Sequence, residues 1–132
     1  MSKEVLIVDD DPDFVETTEI ILRGNGYKTR TANDGEEALK KVREKAPDII
    51  LLDIMMKTKG DGIWASEKIR AEEDLKEIPI IMITAVNQNA EMVKFHLGQE
   101  LDTEYMPVNV FMEKPIETEE LLKEIDKLIG AP

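Results

Sequence analysis

Val5-Leu6-Ile7-Val8-Asp9-Asp10-Asp11-Pro12 decides how the rest of the chain reads. Four consecutive aliphatic residues form an unbroken apolar run, and an aspartate stops it abruptly. A run this short reads as a strand, and one without polar alternation is buried on both faces, as in a parallel sheet. The same stretch opens a helix. Asp11 is placed as its N-cap, Pro12 at its first position and Asp13 as an acid facing the helix dipole. Residues 14–24 then put Phe14, Thr18, Ile21 and Leu22 at helical spacing, with Gly24 and Gly26 as stop signals.

Working outward, the alternation repeats. Lys28–Ala32 has the composition of a short, more polar strand. Gly35–Ala46 carries Ala38, Leu39, Val42 and Ala46 on one helical face and ends at Pro47. Ile49–Leu52 is a second apolar run, stopped by Asp53. Residues 63–71 read as a weaker helix around Ala65 and Ile69. Pro79 introduces Ile80–Ile83, which ends at Thr84. Asn89–Leu101 is helical by period through Ala90, Val93, Leu97 and Leu101. Asn109–Met112 is a short strand ending near Lys114-Pro115. The last helix takes Thr118 as N-cap, Glu119 and Glu120 in its first turn, and Leu121, Leu122, Ile125, Leu128 and Ile129 as its apolar face. Five strands alternating with five helices predict a parallel sheet covered on both faces.

Composition narrows the function. At 132 residues the chain has room for one domain, spanning 1–132, and a core that needs no disulfide or structural metal. There is no cysteine, which excludes thiol nucleophiles, iron–sulfur clusters and Cys-ligated zinc. The 29 acidic against 17 basic side chains give a net charge of −12, which argues against phosphate-led binding to nucleic acid or to an anionic membrane. No apolar run reaches membrane-spanning length and Met1–Val8 is no signal peptide, so the expected home is the cytoplasm.

The polar residues after the buried strands carry the chemistry. The first strand ends in Asp9-Asp10-Asp11, the third in Asp53, the fourth in Thr84, and the fifth runs into Lys114. Ligands of open α/β sheets bind outside the carboxyl ends of the strands, so these distant residues converge there. Each also has a plain structural role: capping explains Asp11 and Asp13, and Asp53 fits a turn. Thr84 fits a strand-end hydroxyl and Lys114 a solvated surface lysine. Capping does not reach Asp9 and Asp10, and together the set exceeds what packing requires. Clustered carboxylates repel unless a cation joins them. Mg²⁺ favours one or two carboxylates with waters and phosphate oxygens, so the cluster points to Mg²⁺-assisted phosphate chemistry.

Val5-Leu6-Ile7-Val8-Asp9-Asp10-Asp11-Pro12, Ile49-Ile50-Leu51-Leu52-Asp53, Ile83-Thr84-Ala85 and Glu113-Lys114-Pro115, in that order, resemble the receiver domain of two-component response regulators. The resemblance spans essentially the whole chain. It implies a flavodoxin-like, doubly wound sheet of order 2-1-3-4-5 with five helices. It implies Asp53 as phosphoacceptor, Asp10, Asp53 and the Met55 carbonyl as direct Mg²⁺ ligands, and Asp9 as a ligand through water, with Mn²⁺ as substitute ion. Lys114, Thr84 and Ala85 would bind the phosphoryl group, Lys114 pairing first with the acceptor carboxylate. Thr84 and Phe111 would form the switch, and Lys114-Pro115 resembles the family's cis peptide. The phosphoryl donor would be a histidine kinase or phosphotransfer protein. The face from Asn89 to Ile129 would be read by a downstream protein target, with the chain a monomer or a phosphorylation-dependent homodimer.

Departures from the family pattern are local. Lys57 stands where a proline is usual, and Asp61-Gly62 comes about one residue late. The chain is longer than usual between Thr84 and Lys114, with the surplus expected in an extended segment around 98–108. Met55 and Val86 are apolar where the family controls access of water, which predicts slow self-dephosphorylation. His96 reads as a helix-surface residue and Trp64 as cover for apolar surface. The sequence ends soon after the fifth helix, so the expectation is a regulator without an attached output domain, or a domain of a longer protein. A competing class is the haloacid-dehalogenase-type phosphohydrolase, which places its nucleophile in Asp-x-Asp-x-Thr after the first strand. Asp9-x-Asp11-x-Asp13 lacks the threonine and is interrupted by Pro12.

Overall fold

The computed structural model describes residues 2–54, 62–85 and 110–132. Its strands are β1 (Glu4–Val8), β2 (Lys28–Ala32), β3 (Ile49–Asp53), β4 (Ile80–Ala85) and β5 (Val110–Lys114), all parallel and in the order β2-β1-β3-β4-β5. The helices among the described residues are α1 (Pro12–Gly24), α2 (Gly35–Glu44), α3 (Gly62–Ala71) and α4 (Thr118–Ile129). This is the flavodoxin-like arrangement. The strand order reverses between β1 and β3, and that switch point is where such sheets bind ligands. The helix expected over Asn89–Leu101, the 98–108 segment, Met55, Lys57, Asp61, Val86 and His96 lie outside the described residues.

The continuous apolar runs are buried on two faces at once. Leu6, Val8, Ile50, Leu52, Ile80 and Met82 point to one side, where Ala38, Leu39 and Val42 of α2 and Ala65 and Ile69 of α3 cover them. Their neighbours Val5, Ile7, Ile49, Leu51, Ile81 and Ile83 point to the other, under Leu22 of α1 and Leu121 and Ile125 of α4. Alternation of side chains along each strand thus builds two cores from one sheet. Each fully buried leucine or isoleucine contributes about 1.5–3 kcal/mol.

The helix ends show what positions the elements. Asp11 is the N-cap of α1, its carboxylate accepting from the amides of Asp13 and Phe14 at 3.0 and 3.4 Å. Gly26, at φ +95°, turns the chain after α1 in a backbone region costly for other residues. The start of α4 departs from expectation. The Glu117 carbonyl accepts from Leu121 N–H at 3.0 Å and Glu117 is extended, so Glu117 is the N-cap and Thr118 the first helical residue. β5 also runs two residues further than its apolar stretch suggests, because pairing with β4 continues through Glu113 and Lys114. At the opposite pole the entries to β1 and β2 meet the end of α4. Lys3 Nζ donates to the Ile129 carbonyl and the Tyr27 hydroxyl to that of Gly130.

Candidate functional site

β1 and β3 lie side by side, and each delivers a carboxylate to the same end of the sheet. Asp9 N–H donates to the Ala32 carbonyl at 3.1 Å, extending the sheet pairing one residue past β1. Asp53 is the last residue of β3, opposite Ile83, and Ile54 N–H is tied to the Ile83 carbonyl at 2.9 Å. Oxygens of Asp9, Asp10 and Asp53 lie within 4.8 Å of one another. Asp9 and Asp53 are buried, and Asp10 is partly exposed.

Lys114 closes the cluster from β5. Its Nζ donates to Asp9 Oδ2 at 2.8 Å and stands 3.8 Å from Asp53 Oδ2. The tighter contact is therefore with Asp9, not with the carboxylate the resemblance pairs it with. Asp9 Oδ1 accepts from Asp11 N–H at 2.9 Å, so protein groups engage both Asp9 oxygens. Burial of Lys114 disfavours its charge, but the hydrogen bond to Asp9 and the fields of Asp9, Asp53 and Asp11 outweigh it. The ammonium is held above the usual lysine range. Three carboxylates beside one ammonium leave a formal surplus of two negative charges, which suits a divalent cation bound by hard oxygen donors.

The remaining predicted positions lie on β4, β5 and α3. Thr84 is buried on β4, and its hydroxyl oxygen has no hydrogen-bond partner among the described residues. Ala85, the last residue of β4, pairs in register with Lys114. The Lys114–Pro115 peptide is cis. Phe111 is partly buried and packs against the core on the α2–α3 side. Trp64 packs there too and lines a cavity of about 630 Å³ between α2 and α3, with Leu39, Lys40, Arg43 and Lys68. None of the three carboxylates lines that cavity. Convergent charge at the sheet end marks the chemical site better than volume does.

The contacts that two residues make with the site were not apparent from the sequence. Gly62 opens α3 against the backbone that carries Asp53. A Cβ there would stand 2.2 Å from the Asp53 carbonyl oxygen and 2.9 Å from Ile54 Cα. A glycine at the first helical position is the available signal. Phe14, read as an apolar residue of α1, lies under Lys114 at 4.3 Å from ring centroid to Nζ. No spacing rule links positions so far apart.

The family model for the response regulator receiver domain matches residues 5–126. The chain belongs to that family. This receiver is 37% identical over 121 residues to the alkaline phosphatase synthesis transcriptional regulatory protein PhoP of Bacillus subtilis, covering 92% of the chain and 46% of the relative. It is 40% identical over 93 residues to the DNA-binding response regulator MtrA of Mycolicibacterium smegmatis, covering 70% and 39%. The receiver thus spans less than half the length of these two relatives. Among solved structures, a putative response regulator from Chloroflexus aurantiacus superposes with a TM-score of 0.82 at 31% identity, covering 98% of this chain and 99% of that one. The receiver domain of a sensor histidine kinase from Pseudomonas aeruginosa, solved with magnesium in its active-site cleft, gives 0.81 at 28% identity, covering 99% and 100%.

Membership sets aside the phosphohydrolase alternative, and the geometry supplies the reason. Asp11 is occupied in capping α1, and Asp13 is exposed in the first turn of that helix. Among the described residues no helix is long and apolar enough to cross a membrane.

Proposed function

We propose that this receiver is a phosphorylation-controlled switch with Asp53 as phosphoacceptor. The observation that carries the reading is the gathering of Asp9, Asp10 and Asp53 oxygens within 4.8 Å of one another at the strand ends, with the Lys114 ammonium 2.8 Å from Asp9 and 3.8 Å from Asp53. The donor is the phosphohistidine of a sensor histidine kinase or phosphotransfer protein. An Asp53 oxygen forms a bond to phosphorus as the donor's P–N bond breaks, and the imidazole leaves with the electron pair and takes up a proton. Phosphoryl transfer depends mainly on positioning and charge neutralisation, so a weakly nucleophilic carboxylate suffices.

The donor set fits a hard cation. Asp10, Asp53 and the Met55 carbonyl would hold Mg²⁺, or Mn²⁺ in its place. Asp9, with both oxygens already engaged, would reach it through water. When bound, the ion neutralises phosphoryl oxygens. Lys114 pairs with one of those oxygens, while the Thr84 hydroxyl and the Ala85 N–H donate to another. The Thr84 hydroxyl, without a partner among the described residues, supports this role, since a buried polar group gains most from a new acceptor. Movement of Thr84, followed by Phe111, would shift the Asn89–Ile129 face for a downstream protein, acting on a monomer or through a phosphorylation-dependent homodimer.

This receiver is not itself a turnover enzyme. Met55 and Val86 offer no hydrogen bond to an attacking water, so the phosphorylated form is long-lived. Its half-life should exceed that of a Met55→Asn, Val86→Glu variant, and an equal or shorter one overturns this point. As the acceptor for a histidine kinase or phosphotransfer protein the receiver acts in the cytoplasm, and its −12 charge disfavours direct contact with nucleic acid or an anionic membrane. DNA contact in a longer protein would fall to other segments. The deciding experiment is incubation with acetyl phosphate and Mg²⁺, read by intact mass. One phosphoryl group is expected in the wild type and none in Asp53→Ala. An adduct that survives Asp53→Ala would falsify the acceptor.

A further inference from the structure

We propose that Phe14 is a positioning residue for Lys114, its ring face holding the ammonium on the Asp9 side of the acid cluster. The inference rests on Asp53 as phosphoacceptor and adds to that site a residue of α1.

Lys114 Nζ stands 4.3 Å from the centroid of the Phe14 ring, inside the range of about 6 Å over which a cation is drawn to the π face. The same Nζ lies 2.8 Å from Asp9 Oδ2 and 3.8 Å from Asp53 Oδ2. Ring and nearer carboxylate belong to one short stretch. Asp9 accepts from Asp11 N–H, and the Asp11 carboxylate accepts from Phe14 N–H, so a chain of local hydrogen bonds fixes both relative to β1. Two attractions from that side oppose one longer attraction from Asp53, and the ammonium rests where the two act. Phe14 also packs against the core on the α1–α4 side, which anchors the ring.

The consequence is a division of labour between carboxylates. Asp9 holds the lysine at rest, while Asp53 keeps the longer contact and faces the donor. The ring compensates part of the hydration that Lys114 loses in the site, and it does so without adding negative charge.

The full chain with Phe14→Leu and Phe14→Tyr tests this. Leucine keeps an apolar side chain and loses the π face, while tyrosine keeps both. In the wild type the Lys114 ε-methylene protons should be shifted upfield in NMR spectra by the ring current. Phe14→Leu should abolish that shift and slow phosphorylation by acetyl phosphate and Mg²⁺ by about 3- to 30-fold, and Phe14→Tyr should restore both. No upfield shift in the wild type, a wild-type rate in Phe14→Leu, or a Phe14→Tyr as slow as Phe14→Leu each overturns the proposal. A wild type with the shift but without phosphoryl uptake sinks Asp53 as acceptor and the positioning role together, leaving only the ring contact. Should Phe14→Leu fail to fold, fluorinated phenylalanines at position 14 keep the shape and weaken the π face. The rate should then fall with each added fluorine, and a constant rate refutes the inference.

Discussion

Thr84 buries a hydroxyl that no described group satisfies, and this gives the site a testable asymmetry. An unsatisfied buried polar atom costs about 1–3 kcal/mol, whereas an apolar isostere carries no such penalty. Thr84→Val should therefore leave the unphosphorylated chain as stable as the wild type or up to about 1 kcal/mol more stable in urea unfolding. The gain in stability on phosphorylation should shrink in the same variant. A clear loss of stability without phosphodonor would mean the hydroxyl already has an acceptor. At this scale the sequence revealed the residue types and their convergence. Asp9, Asp53, Thr84 and Lys114 each follow a buried run, and the parallel topology does the gathering. The preference of Lys114 for Asp9 was not legible, because a difference between 2.8 and 3.8 Å depends on side-chain packing that a one-dimensional pattern does not carry.

Between elements, the tightest constraint is where α3 meets β3. Gly62 N–H donates to the Ile54 carbonyl at 3.2 Å, and the helix starts against the backbone of Asp53 with no room for a side chain. The obstruction is main chain, so a neighbouring rotamer cannot relieve it. Gly62→Ala should cost about 1–3 kcal/mol in denaturant unfolding and weaken Mg²⁺ binding by displacing Asp53. Gly24, where an added methyl group would meet nothing within 4 Å, supplies the contrast. Gly24→Ala should gain up to about 1 kcal/mol through helix propensity alone. Equal effects at the two glycines would show that helix propensity, not contact with Asp53, governs position 62. Element boundaries were readable where a cap or an apolar run defined them, as at Asp11 and Ile49. They shifted where pairing or cap geometry decided, as in β5 and at Glu117.

Across the whole molecule, stability should respond to alkali through groups at opposite poles. Burial, and then the field of Asp126, raise the Tyr27 phenol above its ordinary pKa. Lys114 is raised as well, its ion pairs outweighing burial. A group whose pKa is higher in the folded state stabilises fully below its unfolded pKa, and that contribution is lost as pH rises through the folded value. Unfolding free energy should therefore fall above about pH 10. Tyr27→Phe should flatten this decline without abolishing it, because Lys114 still titrates. An unchanged slope in urea unfolding across that range contradicts the Tyr27 assignment. The fold itself was legible because a two-faced parallel sheet writes unbroken apolar runs into the sequence. Those runs also fix which end of the sheet receives the polar residues.

The contact of Lys3 with the Ile129 carbonyl sets the entry to β1 beside the end of α4, at the pole away from the carboxylates. Ends held this close can be spliced with a short linker and the chain reopened in an exposed turn. Such a circular permutant would keep every strand neighbour and the acid cluster while changing the order in which they are made.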